Sequence, residues 1–209
     1  VNSKPILIVP GEYKSIFFEI FFKSIKSLNF NCPLILIYDK KKISKEKKKY
    51  NCNKEIQLIK IEEVFSKKLS KKKLYLIDIK YQNSTEYIYN CFKLAFKLIK
   101  SGLTYKLING PINKTKTLKK KYIGVTEYIA GNFKEKKYAM LIYNKKLSVC
   151  PVTTHLPLSL VPKKITKKII IEKAIIINDF YKKFLGLKPK IAITGLNPHC
   201  ESILKYNED

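Results

Sequence analysis

Only two histidines occur in the chain, His155 and His199, and each sits in a short motif that follows a stretch of strand character. Thr153-Thr154-His155-Leu156-Pro157 follows the apolar run Leu147 to Val152. Gly195-Leu196-Asn197-Pro198-His199 follows Lys190 to Thr194. Ligands of open α/β sheets bind outside the carboxyl ends of the strands, so two imidazoles at two such ends can converge on one site although they lie far apart in sequence. Neutral imidazole is a common ligand of divalent metals, and a metal is the chemistry this pair suggests. By position alone, a hydrogen-bonded loop residue is the commoner fate of a histidine after a strand, and the flanking residues have to decide.

The elements that would position these motifs read as α/β. Short β-branched runs alternate with longer stretches of helical periodicity, the pattern of βαβ units around a mostly parallel sheet. Strands are predicted at Pro5 to Val9, Leu34 to Tyr38, Glu55 to Ile59, Leu74 to Ile79, Tyr105 to Ile108, Tyr138 to Tyr143, Leu147 to Val152 and Lys190 to Thr194. Only Asn144-Lys145-Lys146 separates Tyr138 to Tyr143 from Leu147 to Val152, too short for a crossover helix. A hairpin is expected there, which makes the sheet mixed. Helices are predicted at Ser15 to Leu28, Thr85 to Ser101 and Thr166 to Leu185, the last two closed by Gly102 and Gly186. The third carries isoleucine on more than one face, so it is expected to be buried on most sides, as a core helix or at a subunit interface. Lys40 to Tyr50 reads as an exposed helix or loop. Turn chemistry concentrates at 110–124, the expected boundary between two lobes of one incomplete unit spanning 1–209.

Composition narrows the function classes. The 43 basic and 16 acidic residues leave a net charge of +27, which invites a nucleic-acid reading. No arginine occurs, however, so the bidentate guanidinium contacts that read guanine are absent and every side-chain cation is a lysine on a surface-type segment. We expect no specific nucleic acid among the partners. Cys32, Cys52, Cys91, Cys150 and Cys200 show no C-x-x-C pair and no dense spacing, which argues against a zinc ribbon or disulfide framework and fits a reducing cytoplasm. The most apolar early stretch is interrupted by Glu19 and Lys23, so no membrane segment is expected.

Two further segments carry turn and polar chemistry: Asn109-Gly110-Pro111-Ile112-Asn113-Lys114 and Gly124-Val125-Thr126-Glu127-Tyr128. Together with the two histidine motifs, in this order, they resemble the 4-hydroxythreonine-4-phosphate dehydrogenase family of pyridoxal phosphate biosynthesis, from near Lys4 to the last residue. The family continues well beyond the point matching Asp209, so the chain is expected to be an N-terminal portion, inactive alone. The resemblance implies a fold like that of isocitrate and isopropylmalate dehydrogenases, which bind NAD without the G-x-G-x-x-G fingerprint that is missing here. It also implies oxidation of 4-phosphooxy-threonine by NAD or NADP with a divalent metal (Zn, Mg, Mn or Co), then decarboxylation to 3-amino-2-oxopropyl phosphate. Of the three metal-binding histidines of the family, two match His155 and His199. Thr126 matches a threonine that contacts the substrate, and Asn113 and Lys114 match the family's Asn-Lys; the latter is the candidate for anion steering or proton transfer. Members of the family are homodimers.

The chain departs from the family at two places. Val125 stands where the family has a histidine, and valine can neither donate nor accept a hydrogen bond. Gly11-Glu12 matches, but the residues after it do not, which weakens Glu12 as a site residue. Val125 keeps open a paralogue acting on a related phosphorylated hydroxy acid. A non-catalytic basic binding protein is the reading from a different class.

Overall fold

A computed structural model describes residues 4–12, 15–81, 84–113, 118, 122–134 and 137–197. The chain divides into two compact units, Val1–Val125 and Thr126–Asp209.

The first unit is built on five strands, β1 (Ile6–Val9), β2 (Leu34–Tyr38), β3 (Ile56–Leu58), β4 (Leu74–Asp78) and β5 (Lys106–Asn109). They form one sheet in the order β3-β4-β2-β1-β5, with every pair parallel. All five β2 residues are buried, as are Leu74 to Ile77 of β4, because strands covered on both faces read as unbroken apolar runs. Helix α1 (Phe17–Ser27) buries Phe17, Phe18, Phe21, Phe22 and Ile25, a spacing that places them on one stripe. The Phe18 ring lies 4.9 Å from that of Tyr38 at the end of β2. The next helices are α2 (Lys40–Lys49), α3 (Glu63–Ser66) and α4 (Ser84–Lys100). Helix α4 packs on β1 and β2 and ends at Gly102, whose φ of 83° supplies the left-handed residue expected there.

Helix α2 has eight of its ten residues from the run KKKISKEKKK as lysine or glutamate, and buries only Ile43. Repulsion among lysines spaced three and four apart opposes such a helix. Its start is held from outside: Asp39 accepts from the Lys42 amide at 2.8 Å and from the Tyr81 amide at 2.9 Å, while Asp78 accepts from the Lys40 amide at 2.7 Å. Carboxylates just past β2 and at the end of β4 thus satisfy two of the orphan amide donors of α2.

The second unit contains α5 (Val125–Asn132), which begins at the division, a 3₁₀ turn at Leu158–Leu160, α6 (Val161–Lys164) and α7 (Lys167–Phe180). Thr166 caps α7 by accepting from the Ile169 amide at 3.3 Å, and a π-helical turn Tyr181–Leu185 carries the chain to Gly186 at φ 67°. Three expectations change here. The hairpin between 138 and 152 reduces to one antiparallel bridge, Ile142 with Val149, so the sheet is parallel rather than mixed among the described residues. Lys190 to Thr194 forms no strand, and Ile191 and Ile193 are exposed. An extended segment becomes a strand only when a neighbouring backbone accepts its hydrogen bonds, and none does so among the described residues. Helix α7 buries none of its residues, with Ile171 at 47% and Ile175 at 53% exposure. The helix forms as expected, but the burial inferred from its isoleucines is not supplied among the described residues.

No helix among the described residues is long and apolar enough to cross a membrane.

Candidate functional site

In the first unit, the functional candidates gather at the carboxyl edge of the sheet, where β1 has β2 on one side and β5 on the other. Such a reversal opens the crevice in which doubly wound sheets bind ligands. Here the two loops leaving β1 and β5 are stitched together. The Gly110 amide donates to the Val9 carbonyl at 2.8 Å, the Glu12 amide to the Pro111 carbonyl at 2.9 Å, and the Asn113 amide to Glu12 Oε1 at 3.1 Å. The approach is so close that a Cβ on Gly110 would stand 1.7 Å from the Pro10 carbonyl oxygen. Gly11 meets the same constraint from the other loop with a φ of 81°. Glu12, a weak candidate from sequence, is therefore the side chain that orders Asn113, whose own side chain is exposed at the loop surface. Lys114 lies outside the described residues.

In the second unit, Thr126 and Glu127 occupy the first turn of α5 and are half-buried. Thr154 Oγ1 donates to Glu127 Oε1 at 3.2 Å across 27 positions of sequence. The other oxygen, Glu127 Oε2, is buried and has no hydrogen-bond partner among the described residues. Burial raises the Tyr138 phenol above its ordinary range, and the nearby Glu127 carboxylate adds to the effect. Lys173 of α7 reaches the same region, donating its Nζ to the Tyr138 carbonyl. His155 follows Thr154 with a φ of 54° and an exposed side chain. For a residue with a Cβ this left-handed backbone is uncommon, histidine being one of those that tolerate it best.

Sequence reading placed His155 and His199 on one metal. His199 lies outside the described residues, and among the described residues no group of three or more His, Cys, Asp or Glu side chains could hold a metal ion. The described part thus contributes one accessible imidazole and does not assemble a metal site. A pocket of about 230 Å³ opens elsewhere, at the edge strand β3, lined by residues including Gln57, Glu63, Lys73 and Tyr75; none is among the predicted site residues.

Sequence reasoning missed the tie between Glu127 and Thr154. The signal was present in a weak form: each is the polar neighbour of a candidate, Thr126 and His155, and one is an acceptor while the other carries a hydroxyl donor.

Residues 25–208 match the family described as pyridoxal phosphate biosynthetic protein PdxA. The 4-hydroxythreonine-4-phosphate dehydrogenase of Sulfurihydrogenibium sp. (strain YO3AOP1) is 35% identical over 208 residues, covering 93% of this chain and 63% of that protein. The chain therefore spans less than two thirds of that relative. The D-threonate 4-phosphate dehydrogenase of Pectobacterium atrosepticum is 32% identical over 115 residues, 55% of this chain and 35% of that protein. Among solved structures, one from Salmonella typhimurium, proposed to be a 4-hydroxythreonine-4-phosphate dehydrogenase, superposes with a TM-score of 0.82 at 26% identity, covering 99% of this chain and 68% of that one. On the match across residues 25–208, the chain belongs to the pyridoxal phosphate biosynthetic protein PdxA family.

Proposed function

We propose that this chain carries the N-terminal share of a dehydrogenase that oxidises 4-phosphooxy-threonine and releases carbon dioxide to leave 3-amino-2-oxopropyl phosphate. The observation that carries the reading is the 35% identity over 208 residues with the Sulfurihydrogenibium enzyme. The isocitrate and isopropylmalate dehydrogenase-like fold, with a lobe boundary near 110–124, belongs to the same proposal. So do a homodimer, for which the uncovered isoleucines of α7 are the support, and a reducing cytoplasm, supported by the free thiols Cys32, Cys52, Cys91 and Cys150.

The roles proposed for the residues are those implied by the family resemblance, and their chemistry suits them. Asn113, ordered by Glu12, and Thr126 offer neutral polar groups for the substrate's oxygens, and Lys114 offers a cation for steering an anion or moving a proton. His155 and His199 are the proposed protein ligands of a divalent ion, whose part would be to acidify the substrate hydroxyl and stabilise the charge left by decarboxylation. The hydride acceptor would be NAD or NADP. Of the two imidazoles, His155 lies among the described residues.

A second reading is favoured by Val125 and by the Pectobacterium relative: the substrate is a phosphorylated hydroxy acid without the amino group, of the kind D-threonate 4-phosphate represents. Calorimetric titration of the 209-residue chain with each compound, with Mn²⁺ present, separates the two. Tighter binding of 4-phosphooxy-threonine supports the first reading, and tighter binding of D-threonate 4-phosphate the second. Under the first reading Val125→His should strengthen binding of 4-phosphooxy-threonine by about 0.5 to 1.5 kcal/mol, the worth of one regained hydrogen bond, and under the second it should bring no gain. Absence of binding by either compound at millimolar concentration argues against both.

A further inference from the structure

We infer that Glu127 is a positioning residue for His155, acting through the hydroxyl of Thr154. The functional sense of the inference rests on the reading of His155 as a metal ligand, while its geometry stands on three observations within the second unit.

The first is the hydrogen bond itself. Thr154 Oγ1 reaches Glu127 Oε1 at 3.2 Å, part-buried, and joins the start of α5 to the residue immediately before His155. The second is the backbone of His155, which adopts φ 54°. A left-handed residue other than glycine persists when its surroundings over-determine it. Cys150 Sγ donates weakly to the Pro151 carbonyl at 3.8 Å, and among the described residues no backbone hydrogen bond within 150–156 enforces the bend. The third is Glu127 Oε2, buried without a partner among the described residues. The first turn of α5 favours a carboxylate through the helix dipole, but a buried carboxylate oxygen with no donor costs stability. Holding Thr154 does account for one of its oxygens.

A threonine offers the link more than a hydroxyl. Its β-branch restricts χ1, so once Oγ1 is held by Glu127 the Thr154 backbone is held as well, and the next residue inherits that direction. The His155 side chain is thereby exposed on the outside of the turn, where an imidazole can meet a ligand brought by another segment. Partners that orient a metal-binding histidine ordinarily touch the ring; here the orientation is applied one residue earlier, through the main chain.

Because the chain has only two histidines, selective ¹³C,¹⁵N-histidine labelling yields two sets of signals, which a His199→Gln variant assigns. In the unaltered chain the His155 Cα and Cβ shifts should carry the left-handed signature. Thr154→Val removes the donor at nearly constant volume and Glu127→Ala removes the acceptor; both should shift His155 toward extended values. Thr154→Ser and Glu127→Gln keep a hydroxyl and an acceptor oxygen and should retain the signature, an outcome that mere loss of packing would not produce. Unaltered His155 signals in both Thr154→Val and Glu127→Ala overturn the inference. Titration with Co²⁺ then tests the underlying reading separately: a paramagnetic shift of His155, with affinity reduced roughly 10-fold or more in Thr154→Val, supports the metal role. Without any response of His155 to Co²⁺ the metal reading fails, while the labelled spectra still decide whether Glu127 positions the turn.

Discussion

Replacing Gly110 by alanine tests how tightly the two loops at the sheet's carboxyl edge are closed. A Cβ at this position would lie 1.7 Å from the Pro10 carbonyl oxygen, 2.6 Å from the Pro10 carbonyl carbon and 2.7 Å from Phe17 Cδ2. Two of these neighbours are backbone, so no rotamer change relieves the overlap, and Pro10 has little freedom because its φ is held by the ring. Restoring an ordinary contact of 3.4 Å requires the β1 and β5 loops to part by roughly 1.7 Å. The Gly110 amide bond to Val9, 2.8 Å in length, then breaks and leaves a buried pair unmade. Overpacking of this kind costs about 1 to 3 kcal/mol, and the lost hydrogen bond adds about 1 kcal/mol. A total of about 2 to 4 kcal/mol is a large share of a stability of about 5 to 15 kcal/mol. Gly102→Ala is the matched control: its φ is 83° but nothing lies within 4 Å of the added atom, so only left-handed strain remains, about 1 to 2 kcal/mol. Urea unfolding followed by far-ultraviolet circular dichroism should move the midpoint of Gly110→Ala down by about 1 to 2 M, and that of Gly102→Ala by less. Equal effects of the two substitutions, or a Gly110→Ala chain within about 0.5 kcal/mol of the parent, would refute the close approach of the loops and with it the ordering of Asn113.

Asp39→Ala should destabilise by about 2 to 4 kcal/mol, because it removes the cap of α2 and strands the Tyr81 amide, whereas Asp39→Asn should recover more than half of the loss in the same urea titration. Burial raises the Cys91 thiol from 9.0 to about 12. Its folded state therefore keeps the proton where the unfolded chain has lost it, so this contribution is intact below pH 9 and is lost as pH rises toward 12, at about 1.4 kcal/mol per pH unit. Unfolding measured from pH 8 to 10.5 should show that slope, reduced in Cys91→Ala; a pH-independent difference between the two chains would contradict it. Ile175, at 53% exposure on α7, should tolerate Ile175→Glu with less than about 0.5 kcal/mol change in folding, and sedimentation should show a lower-mass species if the proposed homodimer uses that face. An unchanged sedimentation profile for a chain that does associate would remove α7 from the interface.

The parallel sheet of the first unit was legible because its strands and helices announce themselves locally. Leu34 to Tyr38 is apolar without interruption and became a fully buried strand with the predicted ends. Gly102 and Gly186 both end helices at positive φ, a requirement of backbone sterics that needs no knowledge of neighbours. The motifs containing Asn113, Thr126 and His155 were likewise legible as residue types at fixed spacing.

What depended on tertiary structure was pairing. Lys190 to Thr194 has the composition of a strand, yet strand formation is decided by a second backbone that composition does not specify. The isoleucines of α7 signal that an apolar face exists and not what covers it. Glu12 holding Asn113, and Glu127 holding Thr154, join residues 101 and 27 positions apart. Such a bond exists only once the fold has brought an acceptor to its donor. Residue type could nominate the side chains with chemistry; which carboxylate orders which loop was settled by distances of about 3 Å that no local pattern encodes.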